Sequence, residues 1–239
     1  FMTVFPETLT LEHFRQVVNH PATAGSIRNS VLLSVSSTVV DVVLGLGIGL
    51  LSLRFLPKVG RILDVAAMVP LAVPGIIIAY GLMSIYGGFA AGTQNSYLQA
   101  ALSLVDPREN PMGLLVLAYA VRRLPYTTRA IAAGLSHVPP EMEEASLNLG
   151  APPARTLRKV TFPLMRGHII AGAILTFSFA MLEVSDSLIL AQKEQHYPIT
   201  AALYHLLGRL VDGISVASAL GVFAMALLLF SLMISSRLS

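Results

Sequence analysis

Five apolar runs, each long enough to cross a bilayer, limit what this chain can fold into. A transmembrane helix needs about 20 mainly apolar residues, and such runs cover about 29–53, 62–86, 111–135, 167–190 and 215–236. The third is the least continuous: its apolar part, Met112 to Val121, leads straight into Arg122 and Arg123. Both guanidinium groups must snorkel or face protein. Only 12% of the 239 residues are charged and 54% are hydrophobic, against about 25% charged in an ordinary soluble domain. The expected fold is an all-α membrane protein, a bundle of five or six transmembrane helices.

Orientation follows from the basic residues, which concentrate in cytoplasmic loops. Arg54, Lys58 and Arg61 follow the first run, and seven Lys or Arg lie between Arg122 and Arg166. The loops 87–110 and 192–214 hold one and two. Five alternating spans then place the N-terminus outside and the C-terminus in the cytoplasm. Residues 1–28 read as an extracytoplasmic amphipathic segment. Leu11, Phe14, Val17 and Val18 fall at helical spacing and His20-Pro21 stops the run; the helix lies on the membrane surface or packs as a linker. The chain starts at Phe with no recognisable signal peptide. With an outside N-terminus, that points to a longer parent chain carrying another span upstream.

Proline and acids mark positions inside the runs. Pro70 and Pro74, followed by Gly75, predict a kink in the second. Asp41 lies near the middle of the first, where an acid costs about 2.5–3.5 kcal/mol on insertion scales. It requires a partner, such as Ser37 or Thr38, or a wet cavity. Glu183 and Asp186 are three apart, on one helix face, toward the outer end of the fourth run. They are candidates for a cation or polyamine path, or for a polar anchor at the helix end. Tyr80, Tyr86, His196, Tyr197, Tyr204 and His205 map to the outer surface.

The segment 139–163 lies between the third and fourth runs, on the cytoplasmic side. Pro139 and Pro140 suit a first helical turn, and Glu141, Glu143 and Glu144 favour the positive end of the helix dipole. Gly150 is placed to end that helix in a left-handed conformation. Pro152 and Pro153 open a second short helix, with Arg155, Arg158 and Lys159 toward its C-terminus, and Pro163 stops it. Two short helices and a tight turn thus project from the membrane, either docking in a groove of another protein or packing on their own bundle.

This segment resembles the EAA loop of binding-protein-dependent ABC importer permeases. The family pattern is Glu-Ala-Ala, three residues, Gly, nine residues, Ile-x-Leu-Pro. Here Glu144-Ala145-Ser146, three residues, Gly150, nine residues and Val160-Thr161-Phe162-Pro163 keep the spacing. Ser146 and Phe162 replace the second Ala and the Leu. Arg28-Asn29-Ser30 opening the first run and the kinked second run are also similar to the family. The stretch 162–190 looks most like permeases for ferric iron, thiamine, phosphonate and polyamine. The resemblance implies a coupling helix seated in a cleft of a cytoplasmic ATPase, with Glu141, Glu144, Ala145, Ser146, Gly150, Ala151 and Pro163 as coupling residues. Asp41, Glu183 and Asp186 become the candidate substrate path.

The resemblance further implies two cytoplasmic ATPase subunits, a second permease half (identical, paralogous or fused) and an extracytoplasmic substrate-binding protein, all at a bacterial inner membrane. Ferric iron is the cargo it favours; polyamine, thiamine and phosphonate are the alternatives. The chain has no Gly-x-x-x-x-Gly-Lys-Ser/Thr phosphate loop. ATP and Mg therefore belong on the partner, and no cofactor, metal or nucleic acid is expected on this chain. No His-Glu-x-x-His motif, nucleophile–base set or metal-ligand cluster within a span points to an enzyme. The other class left open is a channel or secondary carrier without an ATPase.

Overall fold

The protein is described from a computed structural model covering residues 10–19, 21–93, 95–103, 106–208 and 213–238. Among these residues every regular element is helical. Helix α1 (Glu12–Asn19) packs through Val17 against the bundle. Helix α2 (Pro21–Leu50) starts at Pro21, so the first span runs through the boundary expected at residue 28. The Thr23 hydroxyl donates to the Val17 carbonyl at 2.6 Å and ties the two helices together.

The patterning of α2 is inverted. Ser26, Ser30, Ser34, Ser37 and Asp41 are buried, while Leu32, Val35, Val39 and Val43 on the other face are exposed. In lipid, the outward face must be apolar and polar groups must find partners inside the bundle. Gly45 and Gly49 continue the inward stripe. A Cβ at either would meet Ile131 at about van der Waals contact or closer, 3.0 and 2.9 Å. Small residues there let α2 closely approach the helix that carries Ile131.

Helix α3 (Pro57–Met68) continues as a 3₁₀ turn, Val69–Ala72, before α4 (Gly75–Gly92). The two segments meet at 109°, so the second run is broken where a kink was expected. Pro70 and Pro74 each lack an N–H, and Val73 and Pro74 are extended between them. A short helix α5 (Ser96–Ser103) precedes α6 (Met112–His137). Despite its arginines, α6 is central: eleven of its residues are buried, and it packs along both α2 and the helix over Phe162–Met181.

Past α6 come α7 (Pro140–Asn148) and α8 (Pro153–Thr156), then a π-helical turn, Leu157–Thr161, leading into α9 (Phe162–Met181). Pro163 therefore does not stop the second helix. The i→i−5 register of the π turn, seen in the Phe162 N–H bond to the Leu157 carbonyl, lets the chain pass the proline into the span. The fourth run is interrupted as well: α9 ends at Met181, Leu182–Val184 are unwound, and α10 (Ser185–Leu190) resumes. Helices α11 (Ile199–Leu207) and α12 (Gly213–Leu238) complete the bundle. Residues 23–55, 153–181 and 213–233 form helices long and apolar enough to cross a membrane; the bent pair α3–α4 is a fourth candidate.

Candidate functional site

Two constellations separate along the bundle. The first is the projecting loop at the end where α6 finishes. Helix α7 closes with a Schellman motif: the Gly150 N–H donates to the Leu147 carbonyl at 2.9 Å and the Ala151 N–H to the Ser146 carbonyl at 3.2 Å. Gly150 has φ +82°, a conformation that needs glycine. The inner side of the loop is bound to the bundle. Arg54, just past α2, forms an ion pair with Glu143 at 2.9 Å and donates to the carbonyls of Leu135 and Val138 at the end of α6. The Thr161 hydroxyl donates to Glu143 at 2.8 Å, and Ser146 and Thr156 are hydrogen-bonded at 2.9 Å.

Among the described residues the outer side of α7 is left exposed. Glu141, Glu144 and Ala145 are exposed, as are Met142, Leu147 and Leu149, the last at 89%. Of the expected coupling residues, Gly150 and Pro163 are also exposed, Ala151 is half-buried and Ser146 is turned into the anchor. In the sequence Arg54 counted only as an inner-surface charge, Glu143 only as an acid at the helix dipole and Thr161 only as part of the loop pattern; that they join as an anchor was not read.

The second constellation is ionic and lies within the bundle. Arg122 and Arg123 sit about 15 Å into a helix about 39 Å long, and both pair with the same carboxylate oxygen of Glu183, Arg122 through Nε at 3.3 Å. They are therefore not the inner-surface charges that the orientation argument counted. Nor does Glu183 anchor an outer helix end: it occupies the unwound turn between α9 and α10, 3% exposed. The turn's free backbone acceptor is satisfied locally. The Ser187 and Thr200 hydroxyls donate to the Glu183 carbonyl at 3.0 and 2.5 Å, as an unwound segment inside a membrane requires.

Asp186 and Asp41 complete the cluster. Asp186 is fully buried within electrostatic reach of Glu183, Arg122 and Arg123, and Asp41 on α2 lies in the field of Arg123. Among the described residues neither acid has a hydrogen-bond partner, so the bond expected from Ser37 or Thr38 to Asp41 is not made. Arg122 also reaches the other broken span: its Nη1 lies 1.4 Å from where a Cβ on Gly75 would stand, and the Ser185 Cβ lies 2.9 Å from it. The two helix breaks, after α3 and after α9, thus meet at one arginine. Discontinuous helices facing each other in a bundle are the recurrent framework of substrate paths in transporters.

Four of the residues expected at the outer surface, His196, Tyr197, Tyr204 and His205, lie apart from both constellations. Tyr197 stacks on His205 at 4.5 Å, Tyr204 meets the same ring edge-on, and His196 contacts the Glu109 carbonyl. Among the described residues no group of three or more His, Asp or Glu could hold a metal.

Known proteins match this chain over most of its length. The family model described as "Binding-protein-dependent transport system inner membrane component" matches residues 41–239. The molybdenum transport system permease ModB of Mycobacterium bovis is 26% identical over 200 residues, 83% of this chain and 74% of that one. A putative 2-aminoethylphosphonate transport system permease, PhnU of Salmonella typhimurium, is 30% identical over 69% of this chain and 58% of its own. The fold is shared with a crystal structure of a bacterial ABC transporter that imports the acidic polysaccharide alginate: TM-score 0.72, 16% identity, 97% of this chain and 85% of that one. An all-helical bundle with a glycine-closed projecting loop and a family match over 41–239 agree: the chain belongs to the family of inner-membrane permease components of binding-protein-dependent ABC transport systems.

Proposed function

We propose that this chain forms one half of the alternating-access path of an ATP-driven importer, with α7 docking on a cytoplasmic ATPase. The observation that carries this is the two-sidedness of α7. Its inner side is held by Arg54, Thr161 and Thr156, while Leu149 and Met142 stand exposed on the outer side. A rigid mount with an uncovered apolar tip transmits force between two bodies. In this reading Glu141, Glu144, Ala145, Gly150 and Ala151 form the coupling surface, Ser146 holds it from the inner side, and Pro163 lies on its return into α9. The α7 end and the C-terminus are cytoplasmic, two ATPases bind ATP and Mg, a second permease half closes the path, and a binding protein delivers cargo at the opposite end.

Cargo is a separate matter from coupling. The similar permeases are named for molybdenum and 2-aminoethylphosphonate transport, and neither name supports the ferric iron that the sequence resemblance favoured. Purification from native membranes tests the coupling. The chain is expected to bring with it a subunit that hydrolyses ATP, and Leu149→Asp to release that subunit. Uptake that survives Leu149→Asp, or proceeds without ATP, would instead fit a channel or secondary carrier.

A further inference from the structure

We infer that Ser30 is a positioning residue for transport: from the start of α2, and through Thr200, it sets where Glu183 stands between the two arginines. The inference rests on the importer reading above and concerns how the end of the bundle opposite α7 is linked to the ionic cluster.

The segment 191–198 joins α10 to α11. It packs at the start of α2, whereas Arg54, just past the other end of α2, is bound to α7. Gln192, Lys193, Glu194 and Gln195 are exposed, while Pro198 and Ile199 are buried. Pro198 stands at the N-cap of α11 and supplies no capping side chain. The cap comes from α2 instead. The buried Ser30 hydroxyl accepts the Ile199 N–H at 2.8 Å, one of the opening donors that a helix cannot satisfy by itself. Its neighbour Asn29 donates through Nδ2 to the Gln195 and Tyr197 carbonyls at 2.9 and 3.2 Å. Asn29 and Ser30 thus fix where α11 begins, a role that coupling at α7 does not account for.

The next residue carries that position inward. The Thr200 hydroxyl donates to the Glu183 carbonyl at 2.5 Å and lies 3.1 Å from the Ser187 hydroxyl. The Glu183 carboxylate is held at both oxygens, Oε1 by the Ser185 N–H at 3.2 Å and Oε2 by Arg122 and Arg123. Ser30, Ile199, Thr200 and Glu183 therefore form one relay of hydrogen bonds and backbone. Ile199 is locked in an apolar cluster with Ala202 and Leu220, and close packing leaves the relay little slack. A displacement of the exposed residues 192–195 reaches Glu183 through a few buried residues, and with it both guanidinium groups. Those exposed residues lie at the end where the importer reading places the binding protein.

The complete permease–ATPase complex in proteoliposomes, with its binding protein carrying the cargo that it retains on purification, provides the test. ATP hydrolysis is measured without the binding protein and over a range of its concentration. The wild type is expected to hydrolyse ATP faster with it. Ser30→Ala and Thr200→Val are each expected to cut the ratio of stimulated to basal rate about fivefold, the factor that one neutral hydrogen bond carries. The half-stimulating concentration should stay as in the wild type, because neither change alters the exposed residues. Thr200→Ser, which keeps the hydroxyl, should restore the ratio. Ser218→Ala, which removes a hydroxyl bonded within its own helix, should leave the ratio as it was. A wild-type ratio in Ser30→Ala, a Thr200→Ser complex as impaired as Thr200→Val, or a shifted half-stimulating concentration would overturn the inference. So would an equal loss of both rates, or loss of a subunit from the Ser30→Ala complex, either of which would make Ser30 a residue of assembly alone. A wild type without an associated ATPase, or one whose ATP hydrolysis the binding protein does not raise, would instead overturn the importer reading on which the inference rests.

Discussion

Glu183 is the shared counter-charge of two guanidinium groups. Removing one partner of a buried ionic group leaves the other uncompensated, at about 3–5 kcal/mol. Glu183→Gln should therefore lower the stability of the purified complex by that order, read as its denaturant midpoint in detergent micelles. An unchanged midpoint would mean that the arginines are neutralised by other groups. Gly75→Ala tests the same hub from the other side, since its methyl would occupy the place of the Arg122 Nη1. Uptake should fall, while Gly81→Ala, with nothing within 4 Å of its Cβ, should leave uptake as it was. Each member of this hub was visible in the sequence as a charge inside an apolar run. The pairing was not visible, because Arg123 and Glu183 are 60 positions apart and in different spans. Counting the arginines as inner-surface charges and placing Glu183 toward the outer surface separated two groups that share a depth.

The elements most legible beforehand were those closed by local chemistry. Pro139–Pro140 at the start of α7, the acids of its first turn and Gly150 at its end act within a few residues of one another, and their roles need no knowledge of the bundle. Gly150→Ala places a Cβ at φ +82° with no neighbour within 4 Å, so its effect is strain alone, about 1–2 kcal/mol. That strain falls on a turn outside the packed bundle. Transport per ATP hydrolysed is therefore expected to drop while the complex still assembles; an unchanged ratio would show that the turn tolerates the strain. Less legible was how α7 is held. Arg54→Ala and Glu143→Gln should each loosen the loop, and the double variant should be no worse than the worse single one, as for two residues acting as one anchor. Additive losses in coupled uptake would show that they act separately. The π turn and the unwound Leu182–Val184 stretch escaped prediction because apolar periodicity is nearly the same for a continuous helix and for one interrupted by a single turn.

At the scale of the molecule, the sequence disclosed the solvent before the shape. Apolar surface outside and a seam of Ser and Asp inside follow from lipid as the medium, and the helical bundle follows from backbone hydrogen bonding within it. Which way the bundle points is open to direct measurement, because the chain contains no cysteine of its own. Leu149→Cys and Tyr97→Cys, at positions 89% and 87% exposed, mark the two ends. A membrane-impermeant maleimide should label Tyr97→Cys in intact cells and Leu149→Cys only after permeabilisation. The reverse pattern would invert the proposed orientation and detach α7 from any cytoplasmic ATPase. The meeting of both helix breaks at Arg122 also bears on timing. Any shift of the α9–α10 break away from α6 would part Glu183 from both guanidinium groups at once, and Arg122 also packs on Gly75 at the start of α4. In the proposed cycle α6 and the two helix breaks are therefore expected to travel as one block rather than one ahead of another.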